Sequence, residues 1–133
     1  MTGYQIVCES LDYTYNLPLN RWWVDIMLLP LPAIDSDIPL PYRLGIIDNV
    51  EIYLVDGDYV AKTYSMQFVL SGHDKVHRYI PRKQIWIDIN YKEISRPRII
   101  YHELIERYMM DNYSLNHDEA NEIANRLEKV TIL

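Results

Sequence analysis

Proline placement is the feature that most restricts the fold of this 133-residue chain. Five of the seven prolines fall within the first 41 residues: Pro18, Pro30, Pro32, Pro39 and Pro41. Proline lacks the backbone N–H and fixes φ, so it interrupts helices and central strands. We therefore predict that residues 1–48 form an irregular, extended arm. Within it, residues 21–29 fit either a short helix or a strand, because their apolar pattern does not select one period.

The next segment, residues 49–90, is predicted to be rich in β-structure. Residues 50–55 form a first strand, and Asp56-Gly57-Asp58 is a turn signal. Residues 59–70 would then be the returning strand of a hairpin. Residues 84–89 predict a further strand, with isoleucines on one face and Trp86 and Asp88 on the other. Together these segments predict a small antiparallel sheet.

Residues 93–130 are predicted to form two helices. Ser95 and Pro97 suit the start of the first helix, which should end near Met110. The second helix should run from about Ser114 to about Glu128, and apolar residues at helical spacing would be its buried face: Ala120, Ile123, Ala124 and Leu127. The predicted fold is thus a single α+β domain, in which an irregular segment and a small sheet precede two C-terminal helices.

Composition excludes several classes of protein. The formal net charge of −6 argues against nucleic acid as a partner, because phosphate binding needs a basic surface. The only cysteine, Cys8, cannot form an internal disulfide or a cysteine-based zinc cluster. No apolar run is long enough to cross a membrane, and no secretory signal is recognisable. We therefore expect a cytoplasmic protein that does not bind membranes.

The first predicted helix carries the motif His102-Glu103-Leu104-Ile105-Glu106. One helical turn separates His102 from Glu106, so both side chains can bind one metal ion. In H-E-x-x-H sites the intervening glutamate is the general base, which predicts that role for Glu103. Zinc is the first expectation, with manganese or iron as alternatives, because a carboxylate is a harder ligand than imidazole. Alternatively, the motif belongs to an exposed helix with a Glu103–Arg107 ion pair and holds no metal.

A catalytic zinc site needs a third protein ligand. His117 is the first candidate, because it lies in the first turn of the second helix and on roughly the side of its apolar residues. His73 and Glu128 are weaker alternatives. The competing interpretations are a polar residue at a helix start for His117 and a solvated loop residue for His73. Trp86 is better explained as a core or interface residue than as a substrate platform.

Several short motifs follow one another between residues 70 and 128: Ser71-Gly72-His73, Tyr79-Ile80-Pro81, Gln84-Ile85-Trp86-Ile87-Asp88, the helix run ending in Glu106-Arg107, and a final run from Ala120 to Glu128. Their order resembles a family of small uncharacterised phage- and virus-associated proteins of the zincin-like metallopeptidase type. The resemblance implies that His102 and Glu106 are ligands and Glu103 the base. It also singles out His73, Trp86 and Asp88 without implying their roles.

The chain departs from that family pattern at Asn121, where the pattern has histidine. Asparagine is a poor ligand for a transition metal, so the family's metal site could be degenerate here. His117 lies one turn earlier and could substitute.

Two functional hypotheses remain. The first is a metal-dependent hydrolase that cleaves a peptide or amide bond, with the substrate aligned along the strand at residues 85–89. The second is a non-enzymatic structural or interaction protein of viral or phage type, located in the host cytoplasm and forming a homo-oligomer. Residues 29–41 and the Trp22-Trp23 pair support the second hypothesis, because they offer apolar surface to a partner.

Overall fold

The computed structural model describes residues 17–30, 38–91 and 95–131. Within these ranges the chain forms four helices and four strands, in this order: α1 (Leu19–Met27), β1 (Tyr42–Ile47), β2 (Val50–Val55), α2 (Gly57–Thr63), β3 (Ser71–His73), β4 (Gln84–Asp88), α3 (Arg96–Tyr113) and α4 (His117–Thr131). The predicted α+β class with two C-terminal helices is confirmed. In the same ranges, no helix is both long and apolar enough to cross a lipid bilayer.

The four strands form one sheet in the order β1-β2-β4-β3. β1 pairs antiparallel with β2 through a tight turn at Asp48 and Asn49, whose φ angles of 50° and 70° suit a two-residue hairpin. β2 and β4 are parallel, and β3 runs antiparallel to β4. The sheet is therefore mixed, although the sequence analysis predicted an antiparallel one.

The predicted strand at residues 59–70 is wrong, and Asp56 explains why. Its carboxylate accepts a hydrogen bond from the Tyr59 N–H at 3.2 Å, so Asp56 caps a helix instead of opening a hairpin turn. The helix α2 carries the chain away from the edge of β2. The chain returns as the short strand β3, and β4 then enters the sheet parallel to β2.

Two regular elements lie within the segment that was predicted to be irregular. Residues 19–27 form α1, so the segment that was predicted to be either a short helix or a strand is a helix. Trp22 and Ile26 are buried on its inner face. β1 follows from residue 42. Most of the predicted arm at residues 29–41 lies outside the described residues, but Leu29 and Ile38 pack against the core.

The main core lies between one face of the sheet and the helices α1, α3 and α4. Alternate residues of β2 and β4 supply the sheet side: Ile52, Leu54, Ile85 and Ile87. The predicted buried face of α4 is confirmed, since Ala120, Ile123, Ala124 and Leu127 all belong to this core. A smaller cluster around Val60 and Phe68 covers the opposite face, and Trp86 packs there.

A buried ion pair joins α3 to the loop after β3. The Arg107 guanidinium donates to both carboxylate oxygens of Asp74, at 2.6 and 3.1 Å, and the Lys83 N–H donates to the same carboxylate at 2.9 Å. Burial raises the pKa of Asp74, but these donors outweigh it and leave the pKa below its usual value. The predicted Glu103–Arg107 surface pair is wrong, because Arg107 pairs with Asp74 and this part of α3 is buried.

We expect Arg107→Met to lower the free energy of unfolding by about 3–5 kcal/mol, because the Asp74 carboxylate would stay buried without its counter-charge. Urea denaturation monitored by circular dichroism measures this loss. The matched control is Arg126→Met, which removes an exposed ion pair with Glu122 and should cost at most about 1 kcal/mol. Equal losses in the two variants would contradict a special role for the buried pair.

Candidate metal centre

In the middle of α3, polar residues are buried together with apolar ones. Every residue from 100 to 107 is buried, and Glu106 is only 3% exposed. α3 therefore has no solvent-facing side over these two turns, because β3 covers it on one side and α4 on another. A buried carboxylate is unfavourable unless hydrogen bonds or opposite charges compensate it. Buried Glu106 therefore needs hydrogen-bond donors or positive charges next to its carboxylate.

Three imidazole nitrogens surround the Glu106 carboxylate. Nε2 of His73 lies 2.8 Å from Oε1, and Nε2 of His117 lies 3.2 Å from the same oxygen. Nε2 of His102 lies 3.3 Å from Oε2. Burial raises the pKa of Glu106, but the hydrogen bonds from His102 and His73 outweigh it and bring the pKa to about 2. Glu106 is therefore a carboxylate at neutral pH.

His102 links the two C-terminal helices. Its Nδ1 lies 3.0 Å from Oε2 of Glu128, and its Nε2 lies 2.9 Å from Oδ1 of Asn121. Burial lowers the pKa of His102, but hydrogen bonds to Glu106 and Glu128 outweigh it and raise the pKa to about 10. A carboxylate on the Nδ1 side of a histidine is the usual arrangement where Nε2 binds a metal ion.

Glu103 occupies a different environment from Glu106. It is buried, and its Oε2 accepts a hydrogen bond from the Ser71 hydroxyl at 3.3 Å. Burial and the negative charge of Glu106 raise the pKa of Glu103 to about 7. Two neighbouring carboxyl groups therefore have widely separated pKa values, which is typical of acid–base pairs in active sites.

A cleft of about 410 Å³ leads to this cluster. Its lining includes most of the site residues predicted from the sequence: His102, Glu103, Glu106, His117 and Asn121. His117 stands at the rim, with 53% of its side chain exposed, whereas His73 is fully buried behind Glu106. All four histidines of the chain lie in or beside the cleft, since His77 also lines it.

Two residues that the family resemblance singled out, Trp86 and Asp88, lie away from the cluster. Trp86 packs on the opposite face of the sheet and donates its indole N–H to Gln84 at 2.9 Å. The Asp88 carboxylate accepts hydrogen bonds from the backbone N–H groups of Gly57 and Asn90, both at 3.1 Å. The contacts of Asp88 hold the start of α2 and the turn after β4, so both residues have contacts outside the cluster.

Ser71 and His77 are cleft residues that the sequence analysis did not select. Ser71 belongs to the Ser71-Gly72-His73 motif, which pointed to this place without indicating the contact with Glu103. The clustering of all four histidines between residues 73 and 117 was the available signal.

The donor atoms around Glu106 fit a divalent cation. One ligand atom each from His73, Glu103 and Glu106 lies within 4.8 Å of the other two. His102 and His117 add two further nitrogens beside the same carboxylate. Mixed imidazole and carboxylate donors suit zinc, manganese or iron. Asn121 presents an amide oxygen next to His102, a weaker donor than imidazole.

No family model, curated protein or solved structure matches this chain in the three comparisons that we made. The resemblance to the phage- and virus-associated family therefore stays a prediction.

If Asp88 is structural, Asp88→Ala should lower the free energy of unfolding by about 1–3 kcal/mol, because the buried Gly57 N–H would lose its acceptor. Thermal or urea denaturation measures the loss. Asp58→Ala is the matched control, since it removes an exposed carboxylate from the first turn of the same helix at a cost below about 1 kcal/mol. A stable Asp88→Ala variant with a changed metal content would instead assign Asp88 to the site.

Proposed function

We propose that this protein binds a divalent metal ion and hydrolyses an amide bond in a peptide or protein substrate. The observation that supports this most is the convergence of imidazole nitrogens from β3, α3 and α4 on one buried carboxylate, beside a second carboxyl group with a raised pKa. Perturbed pKa values in a cleft are characteristic of catalytic sites.

His102 and Glu106 on α3, with His117 on α4, would hold the ion. Two imidazoles and one carboxylate form a donor set that leaves one coordination position for water in catalytic zinc sites. Zinc is the first expectation, and manganese or iron are alternatives because Asn121 adds an oxygen donor beside His102. Glu128 would orient His102 through Nδ1.

A bound ion would supply Lewis-acid activation of a water molecule. Glu103 would take up the proton of that water and release it to the amine that leaves. In the protein without the ion the pKa of Glu103 is about 7, because burial and the negative charge of Glu106 raise it, and a carboxyl group with such a pKa can accept and donate a proton near neutral pH. The Ser71 hydroxyl holds Oε2 of Glu103, so Oε1 is the atom assigned to carry the proton.

The substrate would bind along β3 and not along β4. The predicted use of residues 85–89 as a sheet edge is wrong, because β4 lies between β2 and β3. β3 is the edge strand beside the cleft, and Ser71 and Gly72 line the cleft itself. An extended peptide can bind beside such an edge, with exposed Val69 next to it for an apolar side chain. The Ser71 N–H and the His73 carbonyl already form hydrogen bonds within the chain, so the remaining outward groups of β3 would make the backbone contacts.

Elemental analysis of protein purified without chelator tests the proposal. We expect about one equivalent of zinc, manganese or iron per chain, and its loss in His102→Ala and Glu106→Gln. Glu103→Gln should keep the ion but lose peptidase activity by at least about 100-fold, because it lacks the proton acceptor. Glu122→Gln, which neutralises an exposed carboxylate of α4, is the control and should keep both.

A metal content near zero in the wild-type protein and in all variants, with an unchanged circular dichroism spectrum, would overturn the proposal. Retention of metal by both His102→Ala and Glu106→Gln would overturn the ligand assignment.

The second candidate function is an interaction protein that associates with a second copy of this chain. Exposed apolar side chains on α2 and in the loop after it favour this alternative: Tyr59, Tyr64, Met66, Val69 and Leu70. We expect a dimer by size-exclusion chromatography with light scattering, and Met66→Glu with Val69→Glu should dissociate it. A monomer at all concentrations tested would remove this candidate.

A further inference from the structure

The hydrogen bonds of His73 specify which of its nitrogens carries the proton. Nδ1 accepts a hydrogen bond from the backbone N–H of Lys75 at 3.2 Å, and Nε2 lies 2.8 Å from Oε1 of Glu106. A backbone N–H can only donate, so Nδ1 must present its lone pair. The proton therefore sits on Nε2 and is donated to the Glu106 carboxylate.

This tautomer conflicts with a ligand role for His73. A neutral imidazole that binds a metal through Nε2 carries its proton on Nδ1. That proton would face the Lys75 N–H, leaving two donors opposed without an acceptor. The turn after β3 resists rearrangement, because the His73 carbonyl accepts hydrogen bonds from the N–H groups of Val76 and His77, at 3.2 and 3.0 Å.

His102 has the opposite arrangement. Its Nδ1 faces a carboxylate oxygen of Glu128, which can accept a proton from Nδ1. Its Nε2 faces oxygens of Asn121 and Glu106 and has to lose its proton before it binds a metal ion. The two histidines contact different oxygens of Glu106, since His73 binds Oε1 and His102 faces Oε2. The two rings therefore differ at Nδ1: the carboxylate beside His102 permits metal binding through Nε2, whereas the Lys75 N–H beside His73 opposes it.

We propose that His73 is a positioning residue, which holds the Glu106 carboxylate by an Nε2–H hydrogen bond and does not coordinate the ion. His73, Glu103 and Glu106 are therefore not the proposed ligand set, although one potential ligand atom from each lies close to those of the other two. The inference rests on the proposed function for its consequence in metal binding. The tautomer itself follows from protein–protein hydrogen bonds alone.

The first test is long-range ¹H–¹⁵N NMR of the histidine rings in the wild-type protein, before and after addition of Zn²⁺. We expect His73 to keep its proton on Nε2 in both spectra, while Nε2 of His102 shifts on addition of Zn²⁺. An Nδ1–H tautomer for His73, or loss of its Nε2 proton when Zn²⁺ binds, would overturn the inference and leave the proposed metal site intact.

The second test compares His73→Ala with His73→Gln by calorimetric titration with Zn²⁺. Loss of a group that orients a ligand weakens metal binding by about 10- to 100-fold, so His73→Ala should bind one ion with that loss. The glutamine amide can donate to Glu106, and His73→Gln should recover most of the affinity. Glu122→Gln, at an exposed position of α4, is the control and should leave the affinity unchanged.

Equal weakening in His73→Gln and His73→Ala would overturn the positioning role, because an amide nitrogen replaces a hydrogen-bond donor but not an imidazole ligand. Failure of the wild-type protein to bind any divalent ion would overturn the proposed function, and the positioning role with it. The spectra before addition of Zn²⁺ distinguish these two failures.

Discussion

The burial of Glu106 is the constraint on which the rest of the site depends. An ionised carboxylate removed from water must be compensated by nearby positive charge or hydrogen-bond donors. Here the compensation comes from nitrogens on β3, α3 and α4, all within 3.3 Å of its oxygens. The edge strand β3 and the helices α3 and α4 therefore all meet at the Glu106 carboxylate. This contact creates a cleft whose inner wall is polar inside an otherwise apolar domain.

Three residues of the cluster are each held by a neighbour outside it. Glu128 contacts His102, Ser71 contacts Glu103, and the Lys75 N–H contacts His73. The Asp74–Arg107 ion pair supports this arrangement, because its residues directly follow His73 and Glu106 in the chain. Such outer contacts set the orientation and the protonation of potential ligands, which the identities of the ligands alone do not describe. They also explain why two histidines that contact one carboxylate are assigned different roles.

Local patterns predicted the elements better than their connections. The β-branched runs of β2 and β4 were recognised, as were α3 and the apolar face of α4, because strand and helix periodicity act over a few residues. The hairpin predicted after β2 is wrong because an aspartate fits both a turn and a helix cap, and Asp56 caps a helix. The three-residue strand β3 has no pattern of its own. It forms because its residues pair with β4, and the paired residues are more than ten positions away in the chain.

By itself, the sequence determined that His102, Glu103 and Glu106 lie together on one helix, because one turn of helix is a local and nearly invariant geometry. It also determined the apolar faces that bring the helices onto the sheet. Only the tertiary structure decided which side chains complete the site. His73, His117, Asn121 and Glu128 come from β3 and α4, and their approach to α3 depends on strand order and helix packing. The proton of His73 depends on both levels, because the local Lys75 N–H leaves it on Nε2 and the Glu106 carboxylate that accepts it is on another element, 33 residues away.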